Sequence, residues 1–78
     1  MDYFLGGIML FGGNYAPENW LPCEGQLLPI ADFAALFSII GTSYGGDGKK
    51  TFALPKLASP LPGMTYIISL VGIYPSRG

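Results

Sequence analysis

The chain has 78 residues, of which 50% are hydrophobic and 12% charged, with four basic and five acidic side chains and a net charge of −1. That balance gives no electrostatic case for binding nucleic acid or anionic lipid. One cysteine and no histidine exclude an internal disulfide and a zinc site of ordinary ligand number. A chain this short makes at most one domain and buries only about 60% of its unfolded surface. With few charges to cover the rest, oligomerisation is the expected remedy, and much of the surface is expected to be buried against copies of the chain.

Twelve glycines and seven prolines cut the sequence into short elements. Leu5 to Phe11 reads as a strand, apolar enough at Ile8-Met9-Leu10-Phe11 that both faces should be buried. The start of the chain does not read as a clear signal peptide, since it opens on Asp2 and is broken by Gly6-Gly7. After the loop Gly12 to Pro17, Trp20 to Ile30 reads as a small hairpin. Glu24-Gly25 forms its turn, and Pro22 and Pro29 confine its strands to edges. A helix is expected over 32–40, because Phe33, Leu36, Phe37 and Ile40 share one face. Asp32 is the expected N-cap and Gly41 the stop. Thr51 to Leu54 is extended, and 58–63 is a short linker. A C-terminal strand is expected over 65–74, within a segment 64–77. Tyr66, Ile68 and Leu70 should line one face of it, and Ile67, Val71 and Ile73 the other. One face should meet the helix and the other a neighbouring subunit. The fold class is therefore α+β, in a single small domain over 1–78. The longest apolar run, Met64 to Tyr74, is far short of the about 20 residues a spanning helix needs, so no membrane insertion is expected.

The segment "GTSYGGDGKKTFALP", from Gly41 to Pro55, holds the motifs that suggest chemistry. Gly41-Thr42-Ser43-Tyr44-Gly45 fits G-x-S-x-G. A nucleophile elbow needs a strand before the serine, a helix after it and a base, however. Here a helix precedes Ser43, and there is no histidine. Gly48-Lys49-Lys50-Thr51 resembles the end of a phosphate loop, but Ser43 stands where its first glycine should be and Lys50 where Ser or Thr should follow. Asp47 lacks the companion carboxylates of a hard-cation site and reads as a turn residue that bonds nearby amides. Gly45, Gly46, Asp47 and Gly48 are thus expected to form a structural loop. Trp20, Tyr15 and Phe11 read as core or interface aromatics, and Cys23 as a buried small hydrophobe. No catalytic, cofactor-binding or metal-ligating residue is expected.

"FGGNYAPENWLPCEGQLLPI", followed by "ALFSIIGTSYGGDGKKTFALPKL", resembles the phage tail collar domain, a family that includes collar regions of short tail fibres and bacterial microcystin-dependent proteins. The resemblance covers about residues 4–57 and rests on Asn14, Ala16-Pro17, Trp20, Cys23, Gly25-Gln26, Leu28-Pro29-Ile30, Ala35-Leu36-Phe37, Gly41, Tyr44 to Gly48 and Thr51 to Pro55. Ala31 stands where a serine cap is common, and Lys56 where an aspartate is usual. The long variable region that normally follows "FALP" is reduced to about ten residues. The resemblance implies a non-enzymatic structural role in a trimeric or otherwise intertwined homo-oligomer, or in a filament. The setting would be extracellular, or a virion or tail-like particle. The alternative it implies is a collar adaptor docking onto a phage tail, tail-like fibre or injection apparatus. The residues expected to meet a neighbouring copy are Ile8, Leu10, Tyr66, Ile68, Leu70, Ile73 and Tyr74.

Overall fold

The computed structural model describes residues 3–75, so residues 76 and 77 of the expected C-terminal segment lie outside the described residues. The elements in chain order are β1 (Ile8–Phe11), β2 (Trp20–Pro22), β3 (Leu27–Pro29), a 3-10 turn (Ile30–Asp32), α1 (Ala34–Ile40), β4 (Thr51–Ala53) and β5 (Thr65–Ser69). They form two antiparallel sheets, β1-β5-β2 and β3-β4, with α1 beside them, which makes the fold α+β.

Leu5, Leu28, Leu36, Phe52, Leu54 and Ile68 meet in one buried core. Both sheets and the helix contribute to it, so neither sheet is stable by itself. Phe37 on α1 lies against Phe52 on β4, with ring centroids 5.4 Å apart. The helical face read from the sequence is therefore the face that meets the core. Leu36 is buried, and Phe33, Phe37 and Ile40 pack partly against it.

Trp20 to Ile30 does not form a hairpin. β2 pairs with β5 and β3 with β4, in different sheets. The turn at Glu24-Gly25 exists, with Gly25 at φ 77°. It carries the chain from one sheet to the other instead of back onto β2. Leu57 N–H donates to Cys23 O at 3.0 Å and Gly25 N–H to Pro55 O at 3.2 Å, so the partner of this turn is the segment after β4.

Asp32 does not cap the helix. It lies in the 3-10 turn, and the cap position is Phe33, at φ −136° with no side-chain hydrogen bond. The cause is upstream. Ile30 N–H still donates to Lys50 O at 2.9 Å as a continuation of the β3–β4 ladder, so the chain must tighten into a 3-10 turn at once. Gly41, at φ 57°, ends α1 as expected, its N–H donating to Phe37 O at 2.7 Å.

The C-terminal strand is shorter than expected and ends at Ser69. The buried Ser69 hydroxyl donates to Val71 O, which bends the chain. Gly72, at φ 127°, then redirects it. A Cβ there would collide with Tyr3 O and lie 3.2 Å from Leu5 N. Ile73 N–H can therefore donate to Tyr3 O at 2.7 Å, while Leu5 N–H donates to Ile73 O at 2.9 Å. The result is a parallel bridge, Phe4 to Ile73, that joins the two ends of the described chain.

Candidate interaction surface

The glycine-rich loop is inward-looking. Asp47 Oδ1 accepts hydrogen bonds from the backbone N–H groups of Lys49, Lys50 and Thr51 at 2.8, 2.9 and 3.0 Å. These three amides hold the carboxyl at a pKa of about 2, below its ordinary value, with Thr51 N–H the largest cause. The loop also runs along the outer edge of β4. Ala53 N–H donates to Gly45 O at 3.0 Å, and Gly48 N–H to Thr51 O at 3.0 Å. With the Thr51 N–H taken by Asp47, every outward main-chain donor of β4 is satisfied. Gly46 permits the close approach, since a Cβ there would strike Phe52 Cα and sit 2.7 Å from Thr51 O. The loop is thus a cover for a sheet edge.

The local contexts that the loop's two motifs require are not found around them among the described residues. Ser43 follows the helix end, its N–H donating to Ile40 O at 3.3 Å, and no strand leads into it. Lys49 and Lys50 project outward from a loop whose amides already serve Asp47 and Thr51. Among the described residues no three of His, Cys, Asp and Glu are grouped to hold a metal ion. Cys23 is buried, and desolvation pushes its thiol pKa up, away from the reactive thiolate. A shallow pocket beside it is lined by Glu24, Lys56, Leu57 and Ala58. No helix among the described residues is long and apolar enough to cross a membrane.

β5 is buried on both faces of the three-stranded sheet, so its middle is not free to meet a neighbour as the interface expectation needs. Register places Ile8, Leu10, Tyr66, Ile68 and Leu21 on one face. Ile68 on that face is 0% exposed and sits in the chain's own core, where Leu21 and Tyr66 also pack. Ile68 therefore has no surface to give a neighbour. Leu70 likewise leans on this core. The other face carries Met9, Phe11, Ile67, Trp20 and Pro22. Aromatic rings cover part of it: Tyr3 meets Trp20 edge-on at 5.1 Å, and Phe11 meets Tyr15 at 5.4 Å.

Of the remaining expected residues Leu10 is half-buried, and Ile8, Ile73 and Tyr74 are on the surface. Ile73 is 50% and Tyr74 57% exposed, and Phe4, which sequence reasoning missed, is 59% exposed across the bridge from Ile73. Tyr74 is held over α1 by a hydrogen bond between its hydroxyl and Ser38 Oγ at 2.8 Å. Ile8 is exposed at the adjoining start of β1, and Tyr3 and Val71 add to the same end of the molecule. The isolated Phe4 gave no sequence signal, because its exposure depends on a pairing with a residue about seventy positions away.

A comparison with curated proteins finds no match. The family model of the phage tail collar domain matches residues 6–62, from the glycines before β1, through β1 to β4 and the helix, to the linker before β5. The chain belongs to the phage tail collar domain family.

Proposed function

We propose that the chain is a non-enzymatic structural protein that assembles with copies of itself, as one collar-like unit over 1–78, into a symmetric oligomer or a filament. Family membership supports the coarse part of this reading, since the collar domain is a structural domain of phage tails. It also supports residence in a virion or tail-like particle. The observation that carries self-assembly is the apolar end of the molecule, where Phe4, Ile73 and Tyr74 are all more than half, or half, exposed around one bridge. Large apolar groups gathered in this way mark interaction sites in folded proteins. The interface residues of this reading are Ile8, Leu10, Ile73 and Tyr74, with Phe4 added. Tyr66 and Leu70 support them from beneath, and Gly45, Gly46, Asp47 and Gly48 form the structural loop.

Negative-stain microscopy of the purified protein tests the reading. Discrete symmetric particles or fibres are expected. A featureless field of folded monomers would contradict it. The adaptor alternative has one observation in its favour, the exposed Tyr15. It would be preferred if the protein stays monomeric alone and enters particles only when a tail or fibre component is added.

A further inference from the structure

The four outer sheet edges of this fold are not equally protected. β5 lies between β1 and β2, and its hydrogen bonds show which way each neighbour faces. Ser69 N–H donates to Gly7 O, Cys23 N–H donates to Tyr66 O and Leu70 N–H donates to Asn19 O, each at 2.9 Å. Odd-numbered residues of β5 therefore bond toward β1, and even-numbered ones toward β2. Antiparallel ladders alternate bonded and non-bonded pairs. In the register Ile8 to Ile68, Met9 to Ile67 and Leu10 to Tyr66, Met9 and Phe11 turn their main-chain groups toward β5. Ile8 and Leu10 turn theirs away, and no described group bonds them.

The other edges are closed or nearly so. Trp20 and Pro22 face outward on β2. Trp20 N–H donates to Pro17 O, Pro22 has no N–H, and Pro22 O accepts from Gln26 Nε2 at 2.9 Å. β4 is covered by the glycine loop. On β3 only Leu27 offers an outward N–H, because Pro29 has none. β1 alone presents two successive outward N–H and C=O pairs. It has no charge or proline, and no loop among the described residues bonds it.

We propose that this edge is a docking strand for the β1 strand of a second copy, in an antiparallel pairing about a twofold axis through Met9. This rests on the self-assembly reading and specifies one of its contacts. Self-pairing matches outward groups to outward groups, Ile8 against Leu10 of the partner and Leu10 against Ile8 of the partner. All four free N–H groups of the two strands find acceptors. Met9, 42% exposed in the single chain, faces its own copy across a non-hydrogen-bonded position and becomes covered. The two three-stranded sheets join into one of six strands, apolar on both faces. The absence of a free donor on β2 also sets the symmetry. A head-to-tail β1-to-β2 chain lacks partners on one side, so edge pairing closes as a dimer and does not propagate.

Three variants test this, with sedimentation and non-reducing electrophoresis as the readouts. Met9→Cys should form a covalent dimer on mild oxidation, because opposed residues at such a position bring Cα atoms about 4.5 Å apart, within disulfide range. The wild type is a control, its one cysteine being buried. Leu27→Cys, exposed on the other sheet, is a second control and should stay uncoupled. Leu10→Pro removes an outward N–H without touching the bonds to β5, and Met9→Lys brings two charges together at the axis. Either should halve the mass of the wild-type particle while the folded far-ultraviolet signal is retained. A wild-type dimer or even-numbered oligomer with these responses supports the pairing. A trimer, or an oligomer unchanged in Met9→Lys with no Met9→Cys coupling above the Leu27→Cys control, overturns the pairing and leaves self-assembly standing. A wild-type monomer at every concentration overturns both.

Discussion

β4 and β1 are both short edge strands without a charged side chain, and they differ in what lies beyond them. Beyond β4 runs the glycine loop, which bonds Ala53 N–H and Thr51 O and, through Asp47, Thr51 N–H. Beyond β1 no described residue bonds the outward main-chain groups of Ile8 and Leu10. The fold thus lays its glycine loop along the edge nearest the core residue Phe52 and leaves the β1 edge without a cover among the described residues. In a chain with so few charges, that difference separates the part built to hold the monomer together from the part available to other chains. The stretch that looks most like an active site is the part most fully occupied with structure.

The covered end is the one whose disruption should cost most. Phe52→Ala removes a fully buried ring that both α1 and β3 pack on, and should lower stability by about 3–5 kcal/mol, enough to unfold so small a domain. Urea denaturation measures it. Gly46→Ala is next, at about 2 kcal/mol or more, because the added methyl strikes Phe52 Cα at a backbone φ of 93°. Hydrogen exchange should show the Ala53 and Thr51 amides losing protection while the β1–β5 amides keep theirs. Uniform loss across both sheets would mean that the loop is not a separate cover.

At the open end the effects on the single chain should be small and those on assembly large. Phe4→Ser with Ile73→Ser leaves the backbone bridge in place and should change monomer stability by less than about 1 kcal/mol. Light scattering should nevertheless show a lower particle mass. The smallest effect belongs to Asp47→Asn. The carboxyl has a folded pKa of about 2, below the unfolded value of about 4. Its contribution is therefore present above the unfolded value and lost as pH falls through the folded one. Thermal melts of wild type and Asp47→Asn should differ at neutral pH and converge as pH approaches 2.

The sequence made some of this comparison legible. The helical face, the stop at Gly41 and the Asp47 turn are written in local spacing and in side chains that bond their own backbone, and they appear where expected. What was not legible depends on long-range pairing. Glu24-Gly25 is a real turn, yet nothing local says that β2 and β3 part company there, because that choice is made by β5 and β4. From Tyr66 to Ile73 apolar residues fall at both odd and even positions, so the pattern gives no sign of which face turns inward. Ile68 was accordingly expected at an interface and lies in the core. Asp32 has the residue type of a cap but falls in a 3-10 turn forced by the ladder before it. The open edge of β1 has no sequence signature, since it is defined by which main-chain groups other strands leave unbonded.

The central claim, that the chain is complete only in the company of its own copies, is most directly tested by sedimentation velocity of the purified wild-type protein from low to high micromolar concentration. A particle of at least twice the protomer mass, dissociating on dilution and in the variants of the exposed end and of the β1 edge, is the predicted result. A folded monomer of unchanged mass across that whole range would contradict it.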